Sequence, residues 1–525
     1  MSTAAFRLPR VTYTSTAVDL APIHEMFDRE LPQFRATLGK RFANRVAGAE
    51  EWEGETYEVK SPGDSRLLIG TFVEPSPAVI AKAGAAARKA SAIWGAMPWQ
   101  ERVAIMRKFS QAVDKQKYEM AKGLVFQSGK TRLEALSEGE EAVDLIEHYC
   151  KQMEKHNGFV EPAMKSGPAE EAQVRLRPFG VFAVIAPFNY PVALLGNMIG
   201  AALVAGNTVI LKASPESGLT ADMFVRAGEE AGLPKGALNL LFGEQAGPRL
   251  VEQPGIDGVA FTGSNKTGMA ILRRMAQGPF MRPVIGELGG KNHAYVTRTA
   301  NVEAAVEGVA KAAFAFQGQK CSACSVAFVH SSIYLAFVDA LAKRAATFAP
   351  GNTEKKTVNC GPLINADAVA RYEDAVEHGK KAGRIVYGGK RLSGGDYEYG
   401  YFVEPAIIAD LPADDRIHKD EIFAPIVAVR PFDSLEKAIA EGNALDVGLT
   451  AGIFSSDPAE IDYFQANVEA GVVYINRRMG ATTGAWPGIQ SFCGWKGSGL
   501  TGKGGLGPHY LPQFMREQCV TKVIG

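Results

Sequence analysis

Residues 178–211 read PFGVFAVIAPFNYPVALLGNMIGAALVAGNTVIL, a run of 34 residues between Arg177 and Lys212 without one charged side chain. A run of that length and apolarity has the dimensions of a membrane span. Its punctuation points elsewhere. Pro187, Asn189, Pro191, Asn197, Asn207 and several glycines interrupt it. Gly180 to Ala186 reads as a buried strand, Pro191 to Ala205 as a helix opened by proline, and Thr208 to Leu211 as a second strand. Strands covered by helices on both faces are near-continuous apolar runs, so the stretch is expected to be a buried βαβ core.

Outward from this core the chain changes texture twice. Upstream, residues 78 to 156 read as helical: Ala78 to Trp94, Trp99 to Gln116, and an amphipathic stretch from Arg132 to Lys151. Downstream, short apolar strands near Leu238–Phe242 and Gly258–Phe261 alternate with helices. A second α/β set begins near His293–Val296, with strands near Val326–Val329, Ala424–Val429 and Gly471–Ile475. Such alternation predicts parallel, doubly wound sheets. Asn157 to Val174 is polar and carries two prolines, a break between the two textures.

At 525 residues the chain is too long for one core and is expected to hold two or three domains. It is 46% hydrophobic and 22% charged, with Lys+Arg equal to Asp+Glu. A zero net charge gives no basic excess for nucleic acid or an anionic membrane. Six cysteines in such a length make no disulfide scaffold and suit a reducing, cytoplasmic compartment. The N-terminus is rich in Ser and Thr, with Arg7 and Arg10 and no acid before Asp19, a faint likeness to a transit peptide that leaves the mitochondrial matrix open. It lacks an amphipathic arginine face and reads better as an ordinary arm.

Two motifs carry chemistry. Gly318-Gln319-Lys320-Cys321-Ser322-Ala323-Cys324 sets a cysteine among small residues, where a thiolate can act as nucleophile. Gly286-Glu287-Leu288-Gly289-Gly290-Lys291 sets a carboxylate among glycines, where it can activate water. Read singly, Cys321 could be a buried hydrophobe, Glu287 a helix cap and Asn189 a turn residue. Cys321-x-x-Cys324 has redox-pair spacing, and one such half-motif makes no structural zinc site.

With Pro187-Phe188-Asn189-Tyr190-Pro191 and Phe261-Thr262-Gly263-Ser264 upstream, the set resembles the aldehyde dehydrogenase superfamily from about Arg175 to the C-terminus. The resemblance implies an α/β fold of two doubly wound domains plus a small β element for oligomerisation. Residues 1–156 and 175–286 would bind the dinucleotide and 287–500 carry catalysis. Residues 157–174 and 501–525 would form the flap and tail that join subunits, with Met515 to Val523 as the tail strand. A homodimer or larger homo-oligomer follows. Cys321 would attack the aldehyde, Asn189 hold the oxyanion, and Glu287 activate the water that hydrolyses the thioester. Relatives that pass the acyl group to coenzyme A generally lack this glutamate, so the free acid is the expected product. Cys324 would line the pocket.

The resemblance also places a cofactor. The chain has no Gly-x-Gly-x-x-Gly after a strand. In its place Gly263, Ser264 and Gly268 open a helix after the strand ending at Phe261, where N–H groups and the helix dipole can hold phosphate. Read alone, the segment is a turn with Ser264 as helix cap. Lys212 would hold the adenosine ribose, and Glu421 and Phe423 the nicotinamide half. NAD-preferring relatives often carry a glutamate three residues after this lysine. Here Pro215 stands there and Glu216 follows, so NAD is expected and NADP remains open.

Three further details resemble the subgroup that oxidises glutamate γ-semialdehyde to glutamate, the Δ1-pyrroline-5-carboxylate dehydrogenases. Gln319 to Ser325 resembles its nucleophile segment, which puts Ser322 on the substrate carboxylate. Glu141-Ala142-Val143-Asp144 resembles the helix whose glutamate lies by the substrate ammonium. Thr483-Gly484-Ala485 resembles its anchor loop, with backbone N–H groups of Gly484 and Ala485 on the carboxylate, and Phe188 and Phe492 packing the methylenes. Two segments depart from the pattern, Ser491-Phe492-Cys493-Gly494 and Arg477-Arg478-Met479-Gly480-Ala481. They leave a general aldehyde dehydrogenase for aromatic or aliphatic aldehydes as the alternative, with Trp486 lining its pocket. A catalytically retired binding or structural protein is the second.

Overall fold

The computed structural model describes residues 8–13 and 19–524, and two seven-stranded sheets organise it. Residues 1–7 and 14–18 lie outside the described residues, and with them Arg7 and most of the transit-like composition. In the first sheet, Val284–Glu287, Gly258–Thr262, Val181–Ile185, Thr208–Lys212 and Leu238–Leu241 lie side by side in that order and parallel. Two short antiparallel strands, Asn44–Val46 and Ala49–Glu51, extend its edge.

The uncharged stretch is therefore strand, helix and strand, all buried. No helix among the described residues is long and apolar enough to cross a membrane. The helix is Ala193–Ala205, shorter at its start than the proline suggested. Its first N–H groups are capped from another helix: Glu138 Oε1 accepts from the N–H of Val192 at 2.6 Å and of Ala193 at 3.3 Å. Residues 187–191 are thereby left as a loop that carries Asn189. Gly206 ends the helix at φ 99°, a left-handed turn that glycine enters without steric cost.

The second sheet runs Ala406–Ala409, Ile426–Phe432, Cys324–His330, Asn292–Val296, Thr450–Phe454 and Val472–Ile475, all parallel, with Arg384–Tyr387 antiparallel at one edge. Met515–Val523 pairs antiparallel with Glu170–Pro178, which pairs with Val160–Pro162. The expected tail strand is thus present, and its partner runs past Val174 to Pro178.

Three helices, Pro77–Trp94, Trp99–Gln127 and Arg132–Lys155, cover the first sheet's flank. The second outruns its apolar periodicity by three turns because its buried face is partly ionic. Lys117 lies 2.9 Å from Glu140, and Lys122 2.9 Å from Glu30. The third opens with a capping box between Thr131 and Glu134. Sequence patterning assigned nothing to the N-terminal part, which holds a helix, Ala21–Arg35, and a three-stranded sheet of Lys40–Phe42, Asp64–Pro75 and Gly54–Ser61.

Candidate active site

Lys212 and Glu287 end parallel strands of the first sheet, and Cys321 sits three residues before a strand of the second. The carboxyl ends of open parallel strands are where such sheets leave a crevice. A cavity of about 950 Å³ opens there, lined by Cys321, Asn189 and Glu287 together.

The turn before Cys321 is strained. Phe316 and Gln317 adopt φ of 49° and 54°, left-handed values that side chains resist. Two contacts hold it. Glu134 Oε1 accepts the Phe316 N–H at 2.9 Å, and the buried Lys130 ammonium lies over the Phe316 ring. The same ammonium sits 3.6 Å from the Tyr190 ring centre and 2.6 Å from Glu138. One buried cation thus braces both the Asn189 loop and the Cys321 loop. Nothing in the sequence of Lys130 announced this.

Asn189 is 5% exposed. Its Nδ2 donates to Gln319 O at 3.1 Å, and its Oδ1 accepts from Tyr190 N–H at 3.0 Å. An amide nitrogen has two hydrogens. The Gln319 bond uses one and fixes the group beside the nucleophile turn. Asn189→Ala is expected to slow hydride transfer in single turnover by about 100- to 1,000-fold, the usual cost of an oxyanion donor. An unchanged single-turnover rate would remove Asn189 from that role.

Glu287 Oε1 accepts from Gly505 N–H at 2.9 Å, while buried Oε2 has no protein partner. Burial pushes its carboxyl up to about 8, and the Gly505 bond pulls the other way. Enclosure also raises the Cys321 thiol to about 12, with Glu421 and Glu287 adding to the rise and the backbone of Ser322 and Cys321 opposing it. Lys320 is pushed down to about 8 by burial.

On the cofactor side, Lys212, Gly263, Ser264, Glu421 and Phe423 line the same cavity. Burial lowers the Lys212 ammonium. Ser264 caps the helix Asn265–Ala276 by accepting the Thr267 N–H, which leaves the first-turn N–H groups of Asn265 and Lys266 without helical acceptors. Gly263 and Gly268 do not serve as donors: their N–H groups go to Glu287 O and Ser264 O. Their value is steric. A Cβ at Gly263 would come 2.5 Å from the Phe261 ring, and one at Gly268 2.5 Å from Leu288. Gly268 stands behind the cavity wall and not on it.

Glu216 lies close enough to Lys212 for its charge to favour the ammonium, yet sits off the cavity wall. Ser214 Oγ donates to its Oε2 at 2.6 Å and Asn365 Nδ2 to its Oε1 at 3.2 Å. The displacement of the acid by Pro215 turns its carboxylate into a loop tie. Glu421 Oε1 accepts from Gly290 N–H at 3.1 Å. Its side chain meets solvent in the open cavity, yet the surrounding protein still raises the carboxyl to about 7. Phe423, at φ 57°, sets its ring edge-on to Phe188 at 6.0 Å, so the nicotinamide-side and aldehyde-side aromatics meet.

On the aldehyde side, Glu141, Phe188, Ser322, Gly484, Ala485 and Phe492 all line the cavity. Thr482 Oγ1 donates to the Ser322 carbonyl at 2.7 Å. Gly484 needs its φ of 95°, and its carbonyl accepts from Arg477 Nη2 at 2.6 Å. The atypical Arg477 thus buttresses the anchor loop. Trp486 and Cys324 do not line the cavity. Trp486 turns outward to donate to Asp144 at 2.7 Å, and Cys324 is buried in the second sheet's core. All six cysteines are free.

Cys321, Asn189 and Glu287 thus share one cavity with Lys212, Ser264, Glu421 and Phe423, the residues singled out for catalysis and for the cofactor. The aldehyde dehydrogenase family model matches residues 49–520. The chain belongs to the aldehyde dehydrogenase family. Within it, the chain is 32% identical over 504 residues to a 1-pyrroline-5-carboxylate dehydrogenase of Bacillus cytotoxicus, covering 95% of this chain and 96% of that one. A Thermus 1-pyrroline-5-carboxylate dehydrogenase solved with bound NAD superposes with a TM-score of 0.91 at 29% identity over all of both chains. Proline utilization A of Bdellovibrio bacteriovorus superposes with a TM-score of 0.90 at 31% identity, and there the chain spans 52% of the longer protein. As a member of this family the protein oxidises an aldehyde with a nicotinamide cofactor.

Proposed function

We propose that this protein oxidises glutamate γ-semialdehyde to glutamate with NAD. The observation that carries it is one wall of the cavity. Ser322, Gly484 and Ala485 offer a hydroxyl and backbone donors to a carboxylate, Glu141 stands by as an acid for an ammonium, and Phe188 and Phe492 hold the methylenes between them and Cys321. The likeness to 1-pyrroline-5-carboxylate dehydrogenases supports the same substrate.

Cys321 Sγ attacks the aldehyde carbon, forming a C–S bond and an oxyanion. Asn189 Nδ2 and the Cys321 N–H receive that oxyanion. NAD, when bound, would supply a cationic ring that favours the thiolate and an acceptor for the hydride with its electron pair. The residue left on sulfur is a thioester. Glu287 takes a proton from water, the water oxygen attacks the thioester carbon, and the C–S bond breaks to release the acid and the thiolate. Lys212, the helix start at Ser264, and Glu421 with Phe423 would hold the cofactor's ribose, phosphates and nicotinamide half. No acid on the cavity wall stands at the ribose in place of Pro215, so NADP is assayed beside NAD.

Glutamate γ-semialdehyde is expected to exceed an uncharged aldehyde of similar length in kcat/KM, and glutamate to inhibit competitively. Ser322→Ala should weaken that inhibition by about 1 kcal/mol or more, the value of a hydrogen bond to a charged group. Hexanal or benzaldehyde outperforming the semialdehyde, with no inhibition by millimolar glutamate, would replace this reading with a general aldehyde dehydrogenase. Trp486, expected to line the pocket in that alternative, instead donates to Asp144.

We further assign residues 1–156 with 175–286 to the dinucleotide-binding part, 287–500 to the catalytic part, and 157–174 with 501–525 to a flap and tail. The exposed edge strand Val160–Pro162 suits pairing between copies in a homodimer or larger assembly. The balanced charge and free cysteines suit the cytoplasm.

A further inference from the structure

We propose that Tyr13, on the N-terminal segment Leu8–Tyr13, is a specificity-determining residue whose hydroxyl acts with the Glu141 carboxylate to receive the α-ammonium of the aldehyde substrate. The inference rests on the amino acid semialdehyde reading and adds to it a residue from outside both sheets. Val11, Thr12 and Tyr13 line the cavity that holds Cys321. Tyr13 Oη donates to Glu141 Oε2 at 2.7 Å.

The neighbouring acids show why this pair is distinct. Glu138 is paired with Lys130, Glu140 with Lys117 at 2.9 Å, and Asp144 with Arg10. Among the described residues, Glu141 is the one of these four carboxylates with no cation at salt-bridge distance; its partner is the Tyr13 phenol. Burial raises the Glu141 carboxyl to about 8, with Glu138 and Asp144 adding to the rise and the Tyr13 bond and the charge of Lys130 opposing it. An ammonium entering the cavity supplies the missing cation. The phenol then donates to the ionised carboxylate, and its oxygen lone pairs remain open to the ammonium.

The segment is latched in place. Arg10 pairs with Asp144 and lies 3.6 Å from Glu140, with its guanidinium 6.0 Å from the Trp486 ring. The Tyr13 ring stands edge-on to Tyr190 at 6.0 Å and to Trp486 at 5.6 Å. Trp486, which departs from the cavity wall, thus serves as the backing of Tyr13. The ring contacts fix where the hydroxyl points, and they survive its removal.

Tyr13→Phe is the test, since it deletes only the hydroxyl. Two ratios are read in wild type and variant: kcat/KM for glutamate γ-semialdehyde over glutarate semialdehyde, which keeps the carboxylate and lacks the amino group, and the inhibition constant of glutamate against that of glutarate. The kcat/KM ratio is expected to fall about 10-fold and the ratio of inhibition constants to rise about 10-fold, both in favour of the amino-free compound, the scale of one hydrogen bond to a charged group. Tyr13→Trp, which keeps ring packing with a displaced donor, should shift both ratios in the same directions. Ratios unchanged in both variants overturn the proposal. A wild type that treats the two semialdehydes alike, while still preferring them to hexanal, overturns it and leaves the proposed carboxylate-bearing substrate class intact. A wild type that prefers hexanal overturns both.

Discussion

Cys321→Ala will abolish turnover while leaving dinucleotide binding nearly intact. Without sulfur no covalent adduct forms, and the hydride cannot leave a free aldehyde whose carbonyl has no nucleophile attached. Removing a covalent nucleophile costs on the order of 10⁴-fold or more. The alanine removes one atom from a turn already held by Glu134 and Lys130, so the fold should not change. The measurements are nicotinamide reduction at 340 nm and cofactor affinity by titration. A variant that keeps even about a tenth of wild-type turnover would show that the thiol is not the nucleophile. Its high thiol pKa, about 12 in the protein alone, makes a second point. Alkylation of Cys321 by iodoacetamide should speed up when the cofactor is added, because a cation beside sulfur favours the thiolate.

Glu287→Gln will separate the two halves of the reaction. Acylation keeps Cys321 and Asn189 and should proceed, giving a burst of reduced nicotinamide. Deacylation loses its base, and the steady state should fall by about 10²- to 10⁴-fold. Equal slowing of both phases would mean that Glu287 is not mainly the hydrolytic base. The pH profile carries the sign. The carboxylate is the active form, and burial raises its pKa to about 8. Deacylation should therefore rise about tenfold per pH unit from pH 5 to 7 and level off above 8. In the glutamine variant that rise should vanish. A wild-type rate that falls as pH rises from 6 to 8 would contradict the assignment.

Much of this site is legible in the primary structure because its parts are local. A glutamate between glycines, a cysteine after Gln319-Lys320, and an asparagine between prolines each sit on a short loop at a strand end. There residue identity is chosen by chemistry more than by packing. The same holds for the uncharged βαβ run, whose polar interruptions mark its turns. Glu216 and Gly268 show the limit. Their positions along the chain fit the cofactor motif, but the Glu216 carboxylate is taken up by Asn365, far away in sequence, and the Gly268 N–H by its own helix at Ser264 O.

By itself the sequence determined the alternation of strands and helices and the reaction class, and it singled out the three proposed catalytic groups, since these follow from periodicity and residue chemistry within short windows. Only the tertiary structure decided how the site is braced and who borders the substrate. Lys130 joins two loops through a buried charge, Arg477 props the anchor loop, and Tyr13 reaches Glu141 across 128 positions of chain. Contacts of that kind leave no periodic trace, because a buried ion pair or a terminal strap is specified by a meeting of distant segments and not by the pattern of either one.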